Sequence, residues 1–341
     1  MLYGYYEQSG SPFRAGALNE LKEFLSRMDL SYDEGIEYTV AIRDAQSRIV
    51  ACASLQENVI KCVAVDPSLQ GEGITATLMT ALKREALERG HRHLFLYTKP
   101  ENVAQFGGIG FHEIARTDSV LLMENRRGGF ESWIESVRFA NAQGTIGAAV
   151  MNCNPMTNGH RYLIGQAAAQ CDTLYLFIVS EDKSAVPAQD RKKIVEEATA
   201  HLGNVHVVQT GRYLISSATF PDYFIKDKSR SGAAWTALDI AVFCRTAQAL
   251  GINRRFVGSE PFCPTTCSYN AAMEHALPQA GIELIQFPRL EQDGTAISAT
   301  AVRALVEQGN WQDTRGLVPD ATWKYLSDEH NRETMRKRMT T

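Results

Sequence analysis

No stretch of the chain is apolar over the roughly 18 to 20 residues that a membrane-crossing helix needs. The N-terminus, Met1-Leu2-Tyr3-Gly4-Tyr5-Tyr6, has neither the basic nor the apolar region of a secretory signal. A cytoplasmic protein with no membrane partner is expected. Positive charge is not in excess: 35 Lys and Arg against 39 Asp and Glu leave a formal net charge of −4. No global field draws such a chain onto nucleic acid, so any anion site has to be local. CxxC spacing is absent. The seven cysteines, Cys52, Cys62, Cys153, Cys171, Cys244, Cys263 and Cys267, are odd in number, and only the last two are close. One such pair cannot complete a four-ligand zinc site, so reduced thiols and no protein-held metal are expected. Internal repeats and low-complexity tracts are also missing.

What is present is the composition of an ordinary globular chain, 44% hydrophobic and 22% charged over 341 residues, enough for two domains. Residues 38–43, 49–55 and 59–65 are rich in Val, Ile and Ala and read as strands. A helix over 74–88 carries Ile74, Leu78, Ala81 and Leu82 at helical spacing, with Gly90 where a C-terminal cap belongs. A strand at 93–98, a short helix at 100–106 and one or two strands in 111–123 follow. Residues 124–129, with two arginines and two glycines, have the composition of a linker, which divides 1–127 from 128–341. Beyond a bridging helix near 130–141, strand 145–151, helix 160–170, strand 173–179, helix 188–200 and strand 204–208 alternate. That alternation predicts a doubly wound parallel sheet, completed by a helix at 236–250, strands at 254–258 and 282–286, and helices from 298 and 320. The expected class is α/β, a mixed-sheet domain followed by a Rossmann-like parallel one.

Two motifs carry chemistry. The first is Val63-Ala64-Val65-Asp66-Pro67-Ser68-Leu69-Gln70-Gly71-Glu72-Gly73-Ile74, two glycines between an apolar strand and a helix start. Glycines there leave backbone N–H groups open to an anion, and the helix dipole favours a pyrophosphate. With Asn102-Val103-Ala104-Gln105-Phe106 and Gly110-Phe111, this region, roughly residues 36 to 124, resembles the Gcn5-related N-acetyltransferase family. The resemblance implies that Gln70, Gly71 and Gly73 bind a CoA-like group. Two positions depart from the family pattern: Thr75 stands at a usual Gly or Ala, and Phe106 at a tyrosine that often protonates the departing thiolate. Phenylalanine has no proton to give. Acetyl transfer by this domain is therefore expected to be weakened or absent.

The second motif follows strand 145–151: Asn152-Cys153-Asn154-Pro155-Met156-Thr157-Asn158-Gly159-His160 opens a helix with Leu163, Ile164, Ala167 and Ala168 on one face. His160 falls in the first turn, where orphan N–H groups and the dipole favour a polyphosphate, and Gly159 has no side chain to block close approach. Late in the chain, Ile297-Ser298-Ala299-Thr300-Ala301-Val302-Arg303 offers hydroxyls at a second helix start and a guanidinium one turn inside it. The pair resembles the nucleotidylyltransferase superfamily, with Ala299 in place of a usual serine. The resemblance implies in-line attack on the α-phosphorus of ATP. His160 and Arg303 would stabilise the transition state, with Asn154, Thr157, Gly159, Ser298 and Thr300 around the phosphates. Magnesium is implied by ATP chemistry rather than by a ligand motif. Lys226, whose long stem can reach a pocket, is a further candidate catalytic cation, and Lys183 and Arg191 are weaker ones.

The fusion of the two domains resembles the acetate:citrate lyase ligase family over nearly the full chain. Local support comes from the stretches 60–64, 152–164 with 167–172, 218–226 and 256–262, including Phe220-Pro221-Asp222-Tyr223-Phe224-Ile225-Lys226 and Phe256-Val257-Gly258-Ser259-Glu260-Pro261-Phe262. This resemblance implies an ATP-dependent ligase. It would activate acetate as acetyl-adenylate and acetylate the thiol of the CoA-derived prosthetic group on the acyl carrier subunit of citrate lyase. Two other readings stand beside it: a pantetheine-phosphate or mononucleotide adenylyltransferase, and a binding module without turnover.

Overall fold

Strands predicted from β-branched residues form almost where expected in the computed structural model, which describes residues 4–33, 35–180, 184–214, 220–225, 228–259, 264–292 and 294–340. Residues 1–129 together with 219–241 form one unit, and residues 130–218 together with 242–341 a second. The first unit contains β1 (Tyr6–Gly10), α1 (Ala15–Arg27), β2 (Tyr38–Arg43), β3 (Ile49–Gln56), β4 (Val59–Val65), α2 (Ile74–Glu88), β5 (Phe95–Thr98), α3 (Val103–Gly107), β6 (His112–Arg116) and β7 (Leu121–Glu124). Its sheet runs β1-β2-β3-β4-β5-β7-β6. Every neighbouring pair is antiparallel except β4 and β5, which are parallel. Ile74, Leu78 and Leu82 of α2 bury their shared face among Val40, Ala53, Leu55, Ile60 and Leu96 of the sheet, the burial that their helical spacing anticipates. The sequence reading did not assign β1 and α1. Leu21, Phe24 and Leu25, all fully buried, give α1 its apolar face.

The second unit takes its elements from α4 (Gly129–Val137), β8 (Ile146–Met151), α5 (Asn158–Ala168), β9 (Thr173–Ile178), α6 (Ala188–Thr199), β10 (Val205–Gln209), α7 (Ser231–Leu250, counted here from Val242), β11 (Arg254–Gly258), α8 (Pro264–Gln279), β12 (Glu283–Phe287), β13 (Glu291–Gln292), β14 (Thr295–Ala296), α9 (Ala299–Glu307), α10 (Asp320–Ser327) and α11 (Glu329–Met339). Its five main strands are all parallel, in the order β10-β9-β8-β11-β12. The chain winds outward from β8 to one edge and then returns to build the other, so the order reverses between β8 and β11. Side chains at the carboxyl ends of these two strands face a crevice that neither neighbouring connection crosses. Among the described residues no helix is long and apolar enough to cross a membrane.

Candidate active site

The turn after β8 enters α5 through a reciprocal cap. Thr157 is the N-cap, its Oγ1 accepting from the His160 N–H at 3.4 Å, while the Thr157 N–H donates to His160 Nδ1 at 3.0 Å. This is a capping box with histidine where Glu or Gln is usual. A backbone amide can only donate, so Nδ1 is the unprotonated nitrogen of the neutral ring and the proton sits on Nε2. Burial, and secondarily the charge of Arg289, push the His160 imidazole down from 6.5 to about 4. His160 is therefore a neutral Nε2–H donor at physiological pH. The turn is braced from behind: Thr322 donates to the Met156 carbonyl, and Asn158 bonds through its backbone N–H to Leu317 O and through Nδ2 to Gly316 O.

The ISATAVR segment meets this turn directly. A Cβ on Gly159 would lie 3.0 Å from the Ile297 carbonyl oxygen, so the approach of the second motif's own backbone disfavours any side chain there. That is a reason beyond the ligand approach expected from the sequence. Ser298 caps α9, its Oγ accepting from the Ala301 N–H at 3.1 Å. Arg303, one turn further along the same face as Thr300, gives Nη2 to Thr300 Oγ1 at 3.0 Å and Nη1 to the Asn154 carbonyl at 2.7 Å. Asn154 Oδ1 accepts from the Val186 N–H at 2.9 Å. Arg303 and Asn154 thus tie the two motifs together.

A cavity of about 610 Å³ opens at the carboxyl ends of β8 and β11. Thr157, Gly159, His160, Ser298 and Thr300 line it, so five of the predicted residues converge; Asn154 and Arg303 are not among its lining residues. Two cations that the sequence reading did not single out also line it, Arg289 and Arg255. Arg289 follows β12 and donates from Nε to Ser259 O at 3.1 Å. Arg255, on β11, is buried with its guanidinium 4.3 Å from the centre of the Phe243 ring. No carboxylate is among the described lining residues. Arg191 is fully buried on α6. Its Nη1 donates to Val179 O at 2.8 Å, Asn152 O at 2.8 Å and Asn152 Oδ1 at 2.6 Å, so it fixes the start of the His160 turn from below. Lys226 and Lys183 lie outside the described residues.

In the first unit, Gly71 and Gly73 have φ of +90° and +72°, the left-handed region that favours glycine, and Gly73 is the N-cap of α2. A Cβ on either would meet nothing within 4 Å, so the outer face of the loop is open. Gln70 lines a separate cavity of about 380 Å³ together with Phe106, which is buried.

The chain matches the family model for the citrate lyase ligase C-terminal domain over residues 146–326 and that for the acetyltransferase (GNAT) family over residues 5–113. It is 42% identical to the citrate pro-3S-lyase ligase of Klebsiella pneumoniae over 90% of this chain and 91% of that protein. To the Escherichia coli protein of the same name it is 41% identical over 94% of each. A shorter likeness, 38% identity over 20% of this chain and 44% of the other, is to phosphopantetheine adenylyltransferase of Streptococcus pneumoniae. The relatives matched over most of their length are ligases, and this chain is an enzyme of the citrate lyase ligase family.

Proposed function

We propose that the second unit joins acetate to ATP and that the activated acetyl group then passes to a thiol on the acyl carrier subunit of citrate lyase. An acetate oxygen attacks the α-phosphorus, the bond to the β-phosphate oxygen breaks, and pyrophosphate leaves. The thiolate of the CoA-derived prosthetic group then attacks the acetyl carbon of acetyl-adenylate, and AMP leaves with the bonding pair. The carrying observation is the cavity between β8 and β11, lined by Arg255, Arg289 and the Nε2–H of a neutral His160 and by no described carboxylate. Such a site favours a polyphosphate and an entering carboxylate together, two anions that otherwise repel.

Each residue has a part in this reading. His160 donates from Nε2 to an oxygen whose charge grows as the α-phosphorus is attacked. Arg289 lowers the cost of bringing acetate to ATP. Ser298 and Thr300 offer hydroxyl donors at the start of α9, whose dipole points the same way. Arg303 and Asn154 are positioning residues that hold the two motifs in register. Gln70, Gly71 and Gly73 hold the phosphates of the CoA-like group. No three His, Cys, Asp or Glu that could hold a metal ion are gathered among the described residues. Magnesium brought by ATP would ride on its phosphates, and no step above is routed through it.

The test is pyrophosphate release with a panel of acceptors. Acetate alone should support slow release, and acetate with deacetylated citrate lyase should support continuous turnover. Release driven by phosphopantetheine or a mononucleotide, with none from acetate, would overturn the proposal.

A further inference from the structure

The first unit carries a feature at odds with a working acyl-CoA site. Strands β4 and β5 run parallel but pair at only two positions, Val59 with Phe95 and Ile60 with Leu96. Beyond these they part, and near the parting Cys62 has φ +52° and the β3–β4 register shifts, the mark of a bulge. Parted strands leave backbone donors and acceptors facing a gap, where they need partners. The 380 Å³ cavity lies in that gap, lined by Val63, Ala64 and Val65 from β4, by Leu96 and Thr98 from β5, and by Gln70 of the glycine loop. A long group held by its phosphates at Gly71 and Gly73 would lay its arm into this opening.

The inner end of the gap is already filled. Tyr223, from the 219–241 segment that belongs to this unit, is 4% exposed. Its hydroxyl donates to the Tyr97 carbonyl of β5 at 2.8 Å, and the Cys62 backbone of β4 lies beside the same hydroxyl. One phenol thus stands where the two strands part, bonded to β5 and beside β4. Its main chain is anchored too, because the Ser31 N–H and hydroxyl both donate to the Tyr223 carbonyl, at 2.8 and 3.2 Å. Phe220 sets its ring edge-on to Tyr97 with centroids 6.1 Å apart, and Phe224 lines the cavity beside Phe106. Withdrawing Tyr223 would break its bonds to the Tyr97 carbonyl and to Ser31, so an incoming arm competes against satisfied hydrogen bonds.

We propose that residues 220–225 are a built-in plug that occupies the place of the inner end of a CoA-like arm, so that this unit grips such a group by its phosphates and excludes its thiol end. The residues present fit the phosphate end of the group and not its arm. A thiol kept out of the gap stays available to an acyl donor elsewhere, and free acetyl-CoA has no seat from which to react. The proposal rests on the assignment of Gln70, Gly71 and Gly73 to a CoA-like group.

The experiment is calorimetric titration of the full chain with 3′-phospho-ADP, CoA and acetyl-CoA, the share due to the loop being the part lost in Gly73→Val. On the unaltered chain the three should bind alike, within about threefold, because the arm gains no buried surface. In Tyr223→Ala, CoA and acetyl-CoA should tighten about tenfold or more while 3′-phospho-ADP is unchanged. Tyr223→Phe keeps the ring and should leave the gap shut, with CoA affinity as in the unaltered chain. The plug is refuted if CoA binds the unaltered chain tenfold more tightly than 3′-phospho-ADP, or if a folded Tyr223→Ala gains nothing. If 3′-phospho-ADP does not bind at the loop at all, the assignment of the loop falls and the plug with it. The titrations on the unaltered chain decide the matter even where Tyr223→Ala fails to fold.

Discussion

Replacing His160 separates the capping role of Nδ1 from the catalytic role proposed for Nε2–H. Nδ1 accepts from the Thr157 N–H and so completes the cap of α5, while Nε2–H faces the cavity. His160→Ala removes both. Loss of a cap costs about 0.5–2 kcal/mol, which in a domain of this size lowers the melting temperature by about 2–4 °C per kcal/mol. Loss of one donor to developing charge costs about 10²–10³ in rate, or roughly 3–4 kcal/mol. His160→Asn keeps only the first role, since its Oδ1 lies as many bonds from the backbone as Nδ1 and can accept from the same N–H. The expectation is a rate as low as in the alanine variant with a melting temperature near that of the unaltered chain. Acetate-dependent pyrophosphate release in a coupled assay, with calorimetric melting of the same samples, reads both. A folded His160→Asn protein turning over at the original rate would refute the assignment of the Nε2 proton.

Other consequences follow from the same geometry. Gly159→Ala sets a Cβ 3.0 Å from the Ile297 carbonyl, so urea unfolding should show a loss of about 1–3 kcal/mol together with slower pyrophosphate release; an unmoved midpoint would contradict this. Arg191→Met leaves the Asn152 and Val179 carbonyls without their buried donor, costing about 3 kcal/mol or more, and Arg191→Lys should not restore it because one ammonium cannot reproduce the planar fork. Burial is the larger cause of the depressed His160 imidazole and the charge of Arg289 the lesser, so in Arg289→Ala NMR should show that imidazole titrating somewhat higher, with pyrophosphate release reduced; an unshifted titration would separate the two side chains. Because the folded-state value of His160 is depressed, the unfolded chain takes up its proton first as pH falls. The stability contributed by the neutral ring is whole above 6.5 and is lost between 6.5 and about 4, so the unaltered chain, level with His160→Asn above 6.5, should fall below it in stability over that interval.

Periodicity made most of the fold legible, because alternating strands and helices with strong apolar faces leave few ways to form. The exceptions are physical. Helix α8 buries few large apolar side chains, Met273 and Leu277 among them, and contains Pro278, so neither spacing nor propensity announces it. The two helix-start motifs are legible in the sequence since each is a local turn. Their meeting is not, since it depends on Ile297 approaching Gly159 and on Arg303 reaching the Asn154 carbonyl 149 residues away. Arg289 had no local signal at all: a lone arginine after Pro288 acquires meaning only when β12 is placed beside β11. Tyr223 belongs to a stretch that stands out in the sequence, yet its bond to the Tyr97 carbonyl of β5 spans 126 residues and has no local signal.

The central claim is that an acetate oxygen attacks the α-phosphorus within the β8–β11 cavity, and isotope transfer tests it most directly. Turnover with acetate labelled at both oxygens with oxygen-18, in the presence of deacetylated citrate lyase, should yield AMP carrying one labelled oxygen by mass spectrometry. The same transfer should be lost in His160→Ala. Unlabelled AMP, or formation of ADP and phosphate in place of AMP and pyrophosphate, would contradict the account.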